Sequence, residues 1–180
     1  MSTRSVINIF YDKALSLNYS SVAFYQNAYN IIAIILLPVF GKLIGKVDPR
    51  RFTIIPFFAM VGYIFFTGFT SYVPLSFDIW NVKIYLMLLI ATIFYGLFFS
   101  TMLLSWNIGS SYFGSNEEAG DYQSIHLFGT GVRGAVSPLI GVVVYELFGF
   151  SLTFGIAIIS LLIAVYIMRW SYKKRVVSSN

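Results

Sequence analysis

Long apolar stretches separated by short polar links make up the chain. Five of them, at about residues 21–45, 52–73, 84–106, 124–147 and 150–170, are each long enough to cross a bilayer, which takes about 20 mostly apolar residues in a helix. The links are a basic turn (KVDPRR, 46–51), a polar link (PLSFDIWNVK, 74–83), a Gly, Ser and acidic loop (NIGSSYFGSNEEAGDYQ, 107–123) and a very short turn at Phe148 and Gly149. Residues 6–17 are apolar in places but too short and too interrupted to cross, so residues 1–18 read as the tail of a preceding helix and an external loop. The pattern predicts an all-α integral membrane protein with a single membrane domain, residues 1–180, of about five transmembrane helices and a cytoplasmic tail at 171–180.

Composition agrees. The 180 residues are 58% hydrophobic and 11% charged, with a mean hydropathy of +0.78, whereas soluble domains are about 25% charged. The net charge of +5 does not indicate nucleic acid, because the Lys and Arg, Arg133 apart, are divided among the short flanks of apolar runs and form no basic face. The absence of cysteine excludes disulfides, a thiolate metal site and a Cys nucleophile. With one histidine and scattered acidic residues, and without a GxSxG, Walker A or HExxH pattern, we expect no catalytic residues, no metal, no cofactor and no enzymatic activity.

Basic residues near span ends resist translocation, which sets orientation. Lys42, Lys46, Arg50 and Arg51 follow the first span, and Arg169, Lys173, Lys174 and Arg175 follow the last. Four crossings separate the two clusters, so both fall on the cytoplasmic side of a multi-pass protein of the cell membrane, with the C-terminus inside. The loop with Glu117, Glu118 and Asp121 is then cytoplasmic, with Asn116 or Asp121 available to cap the next helix. The link with Asp78 and Lys83 is external, and Trp80, Tyr85, Trp106 and Trp170 fall near the interfaces. This topology puts the N-terminus outside without a signal to send it there. We therefore expect an upstream part; the alternative is a five-span protein whose short N-terminus is translocated.

Arg133 lies mid-span, about 14 Å of helix from the cytoplasmic end of its stretch. A central Arg opposes insertion by about 3 kcal/mol, against about 3 to 7 kcal/mol from the eleven Leu, Ile, Val and Phe of that span. It must face protein or water, its partner being a backbone carbonyl, a group outside this chain or an anionic substrate. His126, Thr130, Arg133 and Ser137 share one helical face, either a substrate path or a stripe of helix contact. In the first span Gln26 and Asn30 share a face, with Asn27, Tyr25 and Tyr29 beside them; buried amides line a cavity or join helices. Tyr95 is a further, weaker candidate. Gly129, Gly131, Gly134 and Gly141 make the fourth span small-faced, with Gly134 and Pro138 as a candidate hinge.

At the first cytoplasmic turn GKLIGKVDPRRF resembles the G-x-L-a-D-r-x-G-r-R-x motif of the major facilitator superfamily. Gly41, Leu43, Arg50 and Arg51 match, while Gly45 stands at the motif's acidic position and Asp48 at a glycine, as in the degenerate second copy of the motif. YDKALSLNYSSVAFYQNAYN is similar to the end of helix seven and the entry to helix eight, and SIHLFGTGVRGAVSPLIGVVVYELFG to helix eleven. The resemblance implies that the spans are helices eight to twelve, most of one six-helix half of a twelve-helix carrier. It further implies alternating access between two such halves, with Arg133, Asn30, Gln26, Thr130 and Ser137 along the pathway of a small anionic or polar solute. The expected partners are the lipid bilayer, the solute, and a missing N-terminal half or a second copy. A small membrane-embedded interaction or regulatory protein is the alternative, and a channel a third option.

Overall fold

The computed structural model describes residues 2–113 and 119–178. The elements run α1 (Ser2–Lys13), α2 (Tyr19–Ile44), α3 (Pro49–Phe52), α4 (Ile54–Phe69), β1 (Ser76–Ile79), β2 (Val82–Tyr85), α5 (Leu86–Phe113) and α6 (Ala119–Ser178). α6 leaves helical geometry at Gly149, with φ 74° and ψ −179°, and so has two arms, residues 119–148 and 150–178. That φ suits glycine and strains any residue with a Cβ. Among the described residues, α2, Leu86–Trp106 of α5 and Gln123–Lys174 of α6 are long and apolar enough to cross a membrane; the last, at 52 residues, comprises two lengths joined at Gly149.

Local chemistry sets the boundaries. Asn18 caps α2, its Oδ1 accepting from the Ser21 amide at 2.8 Å and the Ser21 hydroxyl at 2.6 Å. The second apolar stretch, expected to span at 52–73, is helical only over the 16 residues of α4, while α3 falls at the end of the basic turn before it. Pro56 has no N–H to offer the Phe52 carbonyl four residues back, so a regular helix is interrupted there. The polar link contains an antiparallel hairpin that pairs Ser76 with Tyr85 and Ile79 with Val82. Its two-residue loop, Trp80 and Asn81, has φ of 46° and 66°, the positive pair a type I′ turn requires. α5 accordingly starts at Leu86, after Ile84 and Tyr85 have paired in the strand.

Helix α5 is central, packing on α2 and on α4, and α4 and α1 pack on α6. Close approach depends on missing side chains. A Cβ on Gly96 would lie 2.6 Å from Ile32 Cγ2 and 3.1 Å from the Tyr29 carbonyl, and one on Gly62 would meet the Phe94 ring at 2.5 Å. On the other side Phe10 of α1 makes edge-to-face contacts with Phe150 and Phe154, at 5.1 and 5.3 Å between centroids. Val6, Ile7, Tyr63, Ile64, Leu88 and Ala91 complete this core. Outward, the first arm of α6 exposes Phe128 at 75%, Ile125 at 70% and Leu139 at 69%. Apolar surface of that extent belongs against lipid or another helix.

Of the aromatic residues expected at interfaces, Trp80 is 96% exposed at the hairpin tip and Trp170 56% exposed, whereas Tyr85 is turned inward and only 5% exposed. Its backbone and its phenol are both drawn into bonds described below.

Two glycine substitutions check this packing. We expect Gly96→Ala to destabilise the protein by about 1–3 kcal/mol, because neither Ile32 Cβ nor the Tyr29 carbonyl can swing aside. Gly134→Ala, whose Cβ meets nothing within 4 Å, should leave stability unchanged or raise it by up to about 1 kcal/mol. Thermal unfolding of the two variants in detergent reads the difference.

Candidate functional site

Phenols meet where α1, α2, α4 and α5 converge. Tyr11, Tyr25, Tyr29, Tyr63 and Tyr95 line a cavity of about 90 Å³ together with Asn8, Gln26, Thr92, Met60 and Phe98. Tyr11 and Tyr63 share a hydrogen bond of 3.2 Å between their hydroxyls. The ring of Tyr95 stacks at a tilt on Tyr63 and stands edge-on to Tyr29, with centroids 4.6 and 4.5 Å apart. Thr92 returns its hydroxyl to the Leu88 carbonyl at 2.8 Å, and the side-chain amides of Asn8 and Gln26 add polar tips to the lining. Among the described residues no charged side chain lines this chamber. Aromatic walls with a few polar tips suit a ring or a polar uncharged group.

The hairpin is fastened beside it. Tyr25 accepts from the Tyr85 amide at 2.7 Å and donates to the Lys83 carbonyl at 3.4 Å. The Lys83 amide donates to Ser21 Oγ at 2.8 Å, and Asn18 Nδ2 to the Asn81 carbonyl at 2.7 Å. The Tyr85 phenol, in turn, donates to the Leu15 carbonyl at 3.3 Å. Thus Tyr25 is both chamber wall and hairpin anchor.

A second cavity of about 380 Å³ adjoins the first, since Met60 and Phe98 line both. Met102 and Trp106 of α5, Phe57 of α4, and residues from both arms of α6 enclose it, and among the described residues Arg133 is the one charged residue in its lining. Thr153 and Ser160 bond their own helix, to the Gly149 and Ile156 carbonyls at 2.7 and 2.8 Å. Arg133 makes no hydrogen bond or ion pair with another described residue. Its guanidinium, about 21 Å along the arm from residue 119, therefore supplies five N–H donors and a fixed positive charge to this cavity.

The expected pathway residues are thus distributed. Gln26 lines the phenolic chamber and Arg133 its neighbour, while Asn30, Thr130 and Ser137 are half-buried and line neither. Pro138 lies within the first arm, and Gly134 is exposed on it; the only non-helical φ/ψ inside α6 is at Gly149. At the motif turn Gly41 is exposed, Asp48 is half-buried ahead of α3, and Leu43 and Arg51 border a separate groove. The side chains of Arg50 and His126 lie outside the description, as do Asn116, Glu117 and Glu118. Asp121 sits in the first turn of α6. The Tyr11–Tyr63 pair was missed in the sequence; the available signal was a phenol inside each apolar run, since a buried hydroxyl needs a partner.

Long apolar helices enclosing two chambers with a few polar groups in their walls are the architecture of a polytopic membrane protein. The sequence matches the Major Facilitator Superfamily over residues 1–179, and the chain belongs to that family. No curated protein and no solved structure matches it.

Tyr25→Phe tests the anchor. It leaves the Tyr85 amide without its acceptor, and should destabilise the hairpin by about 1–3 kcal/mol. Hydrogen exchange at the Lys83 and Tyr85 amides should then quicken by at least tenfold, with the helix amides of α5 unchanged.

Proposed function

We propose that this chain is the C-terminal half of a secondary active transporter that moves a small anionic or polar solute by alternating access, unmodified, across the cell membrane. The observation that carries the reading is Arg133: a permanent cation midway along an apolar arm, opening into a cavity beside the phenolic chamber. An intramembrane charge opposes insertion and is by default functional. In this reading the phenols and Gln26 hold the polar or ring part of the solute, Arg133 attracts its anionic part, and Met60 and Phe98 stand between the two positions. The basic ends carrying Lys42, Lys46, Arg169 and Lys173 face the cytoplasm, as the positive-inside rule requires.

An N-terminal half or a second copy completes the carrier. Support comes from the first arm of α6, where Gly129, Gly131 and Gly134 have nothing within 4 Å of a built Cβ. Small residues of this kind let another helix approach closely.

The test is uptake of a panel of anionic and neutral solutes by cells expressing the chain with its completing half. Arg133→Ala should reduce uptake of an anion by tenfold or more, Arg133→Lys should restore part of it, and neutral solutes should be less affected. Uptake unchanged in Arg133→Ala would overturn the assignment. Uptake of no solute at all, with stable capture of another membrane protein, would favour a membrane-embedded interaction protein.

A further inference from the structure

At the end of the bundle away from the hairpin, a groove of about 1030 Å³ runs between the α3–α4 start and the last turns of α6. It shares no lining residue with either chamber. Phe52, Ile54 and Ile55 give it an apolar wall, and Arg51, Arg169 and Lys173 stand in its lining with no acidic residue among the described residues there. These cations come from regions more than a hundred residues apart, so the fold and not the local sequence assembles them. Arg51 lies 6.0 Å from the centroid of Tyr172 and Arg169 5.5 Å from that of Phe58. Cation–π contact orients a guanidinium while leaving its N–H donors free for an anion. Trp170 and Tyr166 also line the groove, the residue types that settle at the headgroup level.

We infer that this groove is a binding site for one anionic phospholipid, its phosphate held by Arg51, Arg169 and Lys173 and its acyl chain lying along Phe52, Ile54 and Ile55. A soluble phosphate would use the cations but not the apolar wall. A zwitterionic lipid would use the wall but gain less from three positive charges with no carboxylate among them. Basic pockets between transmembrane helices recognise anionic headgroups on these grounds.

Trp170 is the reporter. The full chain carrying Trp80→Phe and Trp106→Phe, which leaves Trp170 as the one indole of three, is placed in nanodiscs with brominated phosphatidylglycerol or brominated phosphatidylcholine. Half-maximal quenching should need at least about fivefold less of the anionic lipid, the advantage expected of even one basic residue near the headgroups. Adding Arg169→Gln and Lys173→Gln should bring the two lipids close to parity. Lys42→Gln with Lys46→Gln, which removes the same charge from exposed residues outside the groove, should leave the preference in place. Equal quenching by both lipids in the unmodified groove overturns the site. So does an equal loss of preference in the two double variants, which would mean diffuse attraction. Displacement of brominated phosphatidylglycerol by millimolar inorganic phosphate at constant ionic strength would also overturn it, in favour of a soluble anion site.

Discussion

In hydrocarbon no polar group can borrow a hydrogen bond from solvent, and most of this structure follows from that constraint. Many hydroxyls in the helices turn back on their own ladders: Thr92 to Leu88, Thr101 to Leu97, Ser105 to Thr101, Thr153 to Gly149, Ser160 to Ile156. Phenols are too long for that solution and must find one another or a distant backbone. Tyr11 meets Tyr63, and Tyr25 and Tyr85 reach the backbone of other segments. Tyr11, Tyr25 and Tyr63 line the chamber together with Tyr29 and Tyr95.

The same constraint explains what could be read from the chain. Apolar runs report their own length, so the helices were legible, and so was the turn at Phe148 and Gly149, which leaves no room for a loop. The hairpin was not. Its loop is Trp80–Asn81 and not the Asn-Gly or Asp-Gly pair that announces a type I′ turn. Its strands are held from outside by Asn18, Ser21 and Tyr25, sixty residues or so upstream. The interruption between α3 and α4 was hidden because Pro56 acts on a carbonyl four residues before it.

At the site, helical periodicity placed Gln26 and Asn30 on one face, and Thr130, Arg133 and Ser137 on another. Periodicity says which residues point together but not which neighbour they point at. Only Gln26 and Arg133 open into chambers, and different ones. Arg133 was legible because its charge is exceptional in its span. Tyr25, Tyr29 and Tyr95 stood out beside the amides or as a weaker candidate, whereas Tyr11 and Tyr63 were unremarkable in a chain with thirteen tyrosines, and only the packing of α1 against α6, with α5 set close to α2 at Gly96, brings the five to line one cavity.

Gly149 bears on how the protein enters the membrane at all. The first arm carries Arg133 and has little margin for insertion, whereas the second is apolar from Phe150 to Met168, with no charged residue. Because a single glycine joins them, neither arm can wait for the other across an aqueous loop. The apolar second arm is thereby in a position to add its own transfer free energy to that of the arginine-bearing first. A longer loop at this position would uncouple the two arms during biogenesis, and leave the arginine-bearing arm to partition into the membrane unaided.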